Sequence, residues 1–371
     1  SLSVGEPDFP TPEFICAAAK AAIDAGFTRY TPVPGMPELR AAAAGYFNRF
    51  YNAGAGPDNI IISNGGKQCL YNLCQTLLNP GDHVLIPAPY WVSYPPMVEL
   101  AAAKAVIIPA APEKNFKITK GDLDKSLTPK TRMLLFNSPS NPTGACYSQA
   151  EADAIAEWAV EKGIIVISDE IYDKLIYRPK AGQGDMPESV SLCSWWKRYP
   201  KNFVIVNGVA KTFAMTGWRV GYALADPDLI RAMSRLQGQS TSNVSSISQK
   251  AAMAALEGDF SEFEVMREAF ERRRDLAYDI ISEWPGVVCP KPEGAFYIFP
   301  DVHRHYDERI PDSTTLCTVL LEEAGVALVP GIAFGDDRCI RVSYAVSDDV
   351  LTKALSKAAK VLLRKNNRSE S

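Results

Sequence analysis

Short unbroken apolar runs alternate with longer stretches of helical periodicity through the first two-thirds of the chain. The runs fall at 59–62, 83–86, 106–108, 133–136, 164–167 and 203–206. Each has the length and Ile/Val/Leu content of a strand buried on both faces. Between them the spacing predicts helices at 37–51, 67–78, 92–102 and 149–162. Ser148 and Glu151 form a capping box ahead of the last of these. An earlier helix starts at Glu13, with Pro12 in its first turn. Strand followed by helix, repeated, predicts an α/β fold: a large doubly wound domain around a mostly parallel sheet. A long helix is expected from 261 to 284, and beyond Pro285 the rhythm changes. An apolar stretch at 295–299, a helix at 313–324 and a strand at 339–346 predict a smaller α+β domain. The expected division is 1–29 as an N-terminal segment packing with the small domain, 30–275 as the large domain and 276–371 as the small one. Residues 178–191 read as a polar loop.

Bulk properties narrow the classes. The 371 residues carry a net charge of −4, which provides no basic footprint for nucleic acid or an anionic membrane. No apolar run approaches the ~18 residues of a membrane span. Eight cysteines contain no Cys-x-x-Cys pair, and several lie in apolar surroundings, which suits a reducing cytoplasm better than a disulfide framework. With only three histidines, His83, His303 and His305, an enzyme of this sequence must move protons with other groups.

Candidate chemistry gathers where the buried runs end, since ligands of open parallel sheets sit at the carboxyl ends of the strands. Lys211 follows the run at 203–206 and Arg219 comes eight residues later, an amine nucleophile beside an anion clamp. Ser63-Asn-Gly65-Gly66 follows the run at 59–62 and opens a helix, a cradle in which free amides and the helix dipole converge on an anion. It is not a P-loop, and no Gly-x-Gly-x-x-Gly follows a strand, which disfavours a nicotinamide dehydrogenase. The run at 164–167 ends in Ser168-Asp169-Glu170-Ile171-Tyr172. In the strand at 339–346, Ile340, Val342, Tyr344 and Val346 share one face, and Arg341 stands on the other among small residues. It is either an edge arginine reaching water or a carboxylate clamp. Arg272, Arg273 and Arg274, on the long helix, read as a solvated face.

Together these segments resemble the fold-type I pyridoxal-phosphate aminotransferases, and most closely the bacterial branch of aspartate aminotransferases. The resemblance runs through Val4 to Pro12, Tyr30 to Arg40, Ser63 to Gln68, Pro89 to Tyr94, Asn137 to Gly144, Asp169 to Tyr172, Asn207 to Tyr222 and Arg341 to Ala345. It implies pyridoxal 5'-phosphate as cofactor, carried by Lys211 through its aldehyde. Asp169 would pair with the pyridine nitrogen, Tyr172 and Asn141 with the ring oxygen, and Trp91 would stack on the ring. Gly65, Gly66 and Arg219 would hold the phosphate, joined by Tyr30 lent from the second subunit of a homodimer. Arg341, with the Gly5 backbone, would hold the substrate α-carboxylate, and Lys67 would read the distal carboxylate of a dicarboxylic substrate. The implied reaction is amino transfer from L-aspartate to 2-oxoglutarate. The alternatives are prephenate or an aromatic amino acid as partner, or a β-lyase on the same cofactor. Two departures from the family pattern are expected to matter: relatives carry further residues before the Gly5 segment, and Gly208 stands where many have a phosphate-binding serine.

Overall fold

The computed structural model describes residues 1–177 and 190–366; most of the polar stretch at 178–191 therefore lies outside the described residues. Seven strands form the main sheet: β1 (Ile60–Ser63), β2 (His83–Ala88), β3 (Lys104–Pro109), β4 (Thr131–Asn137), β5 (Ile165–Asp169), β6 (Phe203–Gly208) and β7 (Gly221–Leu224). Their spatial order is β1-β7-β6-β5-β4-β2-β3. The pairs from β3 to β6 are parallel, and β7 runs antiparallel to both β1 and β6.

Alternation along each strand sends side chains to two separate cores. Val166, Phe203 and Ile205 meet the helices Pro37–Tyr51 and Gln149–Lys162 on one face. Ile165, Ile167, Val204 and Val206 meet the helix Gly66–Leu77 on the other. A strand apolar at every position is what two-sided burial requires.

The predicted elements appear with small shifts at their ends, and the capping box is formed, with the Ser148 and Glu151 side chains each bonded to the other's backbone amide. The helix expected at 92–102 spans only Tyr94–Leu100. Pro95 and Pro96 lack the amide hydrogens an interior turn needs, so the helix cannot begin earlier and carry them inside. Five α-helices that the pattern does not assign are present among the described residues: Lys120–Ser126, Cys193–Arg198, Pro227–Gly238, Ser246–Glu257 and Asp348–Asn366. The third of these has a capping signature, Asp226 accepting from the Asp228 amide ahead of Pro227.

A second sheet is built from β8 (Tyr297–Ile298), β9 (Val329–Pro330) and β10 (Ile340–Ser343), with β10 in the middle. Its core takes Ile340, Val342 and Tyr344 together with Phe270, Ala277 and Ile281 of the long helix Ser261–Ser282. Arg341 is therefore on a central strand, which removes the edge-strand reading. The first residues join this sheet: the Leu2 amide donates to Ala327 O, and the Leu2 carbonyl accepts from the Ser343 amide. The helix Glu13–Asp24 instead packs on Ser246–Glu257, so the stretch 1–29 is divided between the two cores rather than packing with the small sheet alone.

The arginine triplet also departs from expectation. Arg272 is exposed, but Arg273 and Arg274 are buried. Arg274 donates to Pro292 O at 2.6 Å and pairs with Asp275, and Arg273 bridges Asp8 and Asp348. Successive residues of a helix point about 100° apart, so three in a row cannot share one solvated face.

Candidate active site

The carboxyl ends of β4, β5 and β6 open onto a cavity of about 530 Å³. Lys211, Asp169, Tyr172, Asn141, Trp91, Arg219, Gly65, Gly66, Lys67, Gly5 and Arg341 all line it. Residues separated by more than 300 positions thus meet in one place. Tyr30 does not: its side chain is 91% exposed, away from this chain's cavity.

Asp169 ends β5 and is buried. Its Oδ2 accepts from Tyr94 Oη at 2.7 Å and its Oδ1 from the Ile171 amide at 3.3 Å. Burial raises its pKa from 3.8 to about 6, although these hydrogen bonds and the charge of Lys211 pull the other way. The carboxylate is thus held in place but short of positive charge. Lys211 lies just past β6, and its Nζ donates to Gly5 O. Burial, reinforced by the charges of Arg219 and Arg341 and opposed by Glu6, lowers its pKa to about 8, within reach of a neutral amine.

At one end of the cavity the Ser63–Gly66 turn delivers the first amides of the helix Gly66–Leu77, which have no partner within the helix. Gly65 has φ +85°, and a Cβ there would lie 2.5 Å from Arg219 Nη2. Arg219 itself adopts φ +56° and is anchored by Thr216 O at 2.9 Å, so its guanidinium is set against the turn. A Cβ on Gly221 would fall on the Gly66 amide, so β7 can pass the turn only as glycine. A Cβ on Gly208 would meet Val220 O at 3.0 Å and Ile171, a residue of the cavity wall, at 3.1 Å, so the position borders the cavity and brings no hydroxyl to it. Ser63 does not stand in for one, because its Oγ is bonded to Gln237 Oε1 at 2.6 Å.

At the other end Arg341 is buried on β10. Nη1 donates to Asn141 Oδ1 at 3.1 Å and Nη2 to Ser3 O at 2.6 Å, while Nε has no partner. Among the described residues no carboxylate pairs with it. A buried guanidinium satisfied only by neutral oxygens is a receptor for an anion. Lys67 Nζ lies 4.8 Å from the centre of the Trp91 ring and faces the same space.

Among the wall residues to which the sequence assigns no role are Glu6, Tyr94 and Asn137, which lie inside the segments that carry the resemblance, and Tyr297, which lies outside them. Tyr297 Oη is 2.9 Å from Tyr172 Oη and holds that phenol in place. Asn137 donates to Asp169 O and accepts from the Asn141 amide, locking the ends of β4 and β5 together. Both tyrosines look like ordinary core aromatics in the sequence. Only the closeness of Tyr94 to Trp91 hints at the first, and nothing hints at the second.

The cofactor implied by the resemblance fits this donor set. One end of the cavity is a glycine and arginine cradle for a dianion, the buried Asp169 lacks a cation, and between them stands an amine with a lowered pKa. A large α/β domain with an amine, an acid and an arginine so placed defines a class of enzyme. The chain belongs to the family of class I and II aminotransferases, which it matches over residues 1–357. It is 44% identical over 369 residues to an aspartate/prephenate aminotransferase of Cereibacter sphaeroides, covering 96% of this chain and 89% of the relative. It is 43% identical to an aspartate aminotransferase of Bacillus subtilis, at 96% and 89% coverage. Among solved structures, the aspartate aminotransferase of Thermus thermophilus with maleate superposes with a TM-score of 0.90 at 41% identity, covering 97% of this chain and 91% of that one.

Proposed function

We propose that this enzyme transfers the amino group of L-aspartate to 2-oxoglutarate, forming oxaloacetate and L-glutamate, with pyridoxal 5'-phosphate as cofactor. The observation that carries the proposal is that the buried Arg341, which has no carboxylate partner among the described residues, lines one cavity together with Lys67 and Lys211. That arrangement suits a substrate with two carboxylates and an amine. The names of the relatives from Cereibacter sphaeroides and Bacillus subtilis support it.

When bound, pyridoxal phosphate supplies a ring that withdraws the electrons released at the substrate Cα. Gly65, Gly66 and Arg219 would hold its phosphate, and Asp169, kept in register by Tyr94, would hold its pyridine nitrogen. Tyr172, braced by Tyr297, and Asn141 would meet its ring oxygen, and Trp91 its face. Arg341 clamps the α-carboxylate, with the Gly5 backbone beside it, and so selects α-amino acids. Lys211, whose pKa burial lowers to about 8, takes the Cα proton through Nζ in its neutral form and later returns it. Tyr30, exposed here, reaches the neighbouring site in a homodimer. We place the enzyme in the cytoplasm, supported by eight cysteines of which none is paired.

Asp169 makes a prediction of its own. Its pKa is higher in the folded protein than in the unfolded chain, so the unfolded chain ionises first as pH rises from about 4 to about 6. Over that window the wild type loses stability, and above it the full penalty remains. At about 1.4 kcal/mol per pH unit, Asp169→Asn is expected to stabilise the cofactor-free protein by about 3 kcal/mol above pH 7, a gain that vanishes near pH 4. Urea unfolding at the two pH values checks this. Added pyridoxal phosphate should reverse the order by stabilising the wild type more.

Prephenate is the second reading, favoured because the Cereibacter sphaeroides relative carries it in its name and because it too has a second carboxylate for Lys67. A panel of amino donors and keto acceptors decides between them. Aspartate with 2-oxoglutarate should show the highest kcat/KM, and Lys67→Met should raise KM for dicarboxylic substrates by about tenfold while sparing monocarboxylic ones. A panel led by aromatic donors would overturn the aspartate reading.

A further inference from the structure

Arg273 is remote from the cavity yet is the only buried cation that ties the first residues of the chain to the long helix among the described residues. Its Nη1 donates to Asp8 Oδ1 at 2.7 Å and its Nε to Asp348 Oδ1 at 3.2 Å. The guanidinium also lies 5.2 Å from the Phe9 ring centre and 5.7 Å from that of Phe270, and the two rings meet edge to face at 5.6 Å. Asp348 opens the helix that follows β10, the strand of Arg341. One side chain therefore joins the lead segment to the element next to the carboxylate clamp.

The lead segment in turn completes the cavity. Ser3 O accepts from Arg341 Nη2, Gly5 O accepts from Lys211 Nζ, and Glu6 Oε2 accepts from Thr216 Oγ1 at 2.8 Å. Past Glu6 the next polar anchors are Asp8 on Arg273 and then Thr11, whose Oγ1 donates to Ala214 O and accepts from Trp218 Nε1. Only Glu6 and Pro7 separate Gly5 from Asp8, a span of about 10 Å, so freedom gained at Asp8 is felt at Gly5.

We propose that Arg273 is a positioning residue for the substrate carboxylate. By gripping Asp8 it fixes the lead segment, and with it the Ser3 and Gly5 carbonyls that orient Arg341 and Lys211. The inference rests on Arg341 being the carboxylate site and adds the residue that keeps that site in shape. Substrate binding, rather than the proton transfer that follows, draws on this brace.

Asp8→Asn is the chosen variant, because Arg273 keeps Asp348 as an ionic partner and the fold keeps its buried pair. With pyridoxal phosphate bound and L-aspartate as the probe, KM is expected to rise about tenfold and kcat to stay within about twofold, as for loss of one charge-assisted contact. Hydrogen exchange at residues 2–10 should quicken in the variant. Added salt should raise KM more steeply in the wild type than in Asp8→Asn, since the Asp8 carboxylate is partly exposed to screening ions while the substrate's own ionic contacts are common to both proteins. Asp8→Glu should restore most of the loss, and Arg273→Lys, which keeps the charge but not the planar fork, should raise KM by about threefold. A lowered unfolding midpoint with unchanged KM and unchanged exchange at 2–10 would make the contact merely structural and overturn the proposal. Arg341→Leu is the control. If it leaves KM for L-aspartate unaltered, the carboxylate site itself is misplaced. If it raises KM and Asp8→Asn does not, only the role of Arg273 falls.

Discussion

Replacing Lys211 by alanine is expected to lower kcat by roughly 10⁴-fold or more, since in the proposed mechanism one amine both carries the cofactor and moves the Cα proton. Two of the other proton carriers on the cavity wall, Tyr172 and Tyr297, are poorly suited to take over, because burial raises the pKa of both above the ordinary phenol value. The three histidines are absent from the cavity wall. The variant should still fold, because what it removes is a buried, partly desolvated amine rather than core packing. Steady-state turnover, measured beside the unfolding midpoint, checks both halves. A Lys211→Ala protein with turnover within tenfold of the wild type would end the assignment of Lys211.

Arg341→Leu is the second large effect. It deletes a buried guanidinium that donates to Asn141 and Ser3 and leaves a substrate carboxylate without its clamp. Removing one partner of such a pair costs on the order of 3–5 kcal/mol, which predicts a fall in kcat/KM of several hundred- to several thousand-fold for every α-amino acid. The leucine should not destabilise the protein in proportion, because the cation it replaces is buried without a carboxylate. Equal losses for L-aspartate and for a monocarboxylic amino acid would locate the clamp at the α-carboxylate. A loss confined to dicarboxylic substrates would move Arg341 to the distal position and hand the α-carboxylate to Lys67.

How much of this could be read in the chain follows from which signals are local. Lys211 and Asp169 were legible because each stands at the end of an unbroken apolar run, and such runs end where a parallel sheet meets its ligand. Arg341 was legible as an anomaly, a charge in a cleanly alternating strand. The sheet order makes that anomaly sharper, because β10 is central and its arginine has no open edge from which to reach water. Tyr94 and Tyr297 were not legible. A tyrosine that holds another residue's carboxylate or phenol has the same sequence context as one that fills a core, and only the fold brings its partner to it. Arg273 and Arg274 were misread for the same reason. Arg274 has Glu271 and Asp275 beside it in the helix, but the partners that bury the pair, Asp8, Asp348 and Pro292, lie outside it, where no spacing within the helix could reveal them. The helices at 227–238 and 246–257 were missed although Asp226-Pro227 announces the first and Leu229, Ile230, Met233 and Leu236 recur in it at helical spacing; the second offers mostly alanines as its apolar positions, which mark a face only faintly.

The central claim is that Lys211, Asp169 and Arg341 cooperate to move an amino group onto a bound pyridoxal phosphate. The most direct measurement mixes the cofactor-loaded enzyme with L-aspartate in the absence of any keto acid and counts products per site. The account predicts one equivalent of oxaloacetate, no ammonia, and renewed turnover only when 2-oxoglutarate is added. Continuous release of ammonia with pyruvate, or no oxaloacetate at all, would contradict it.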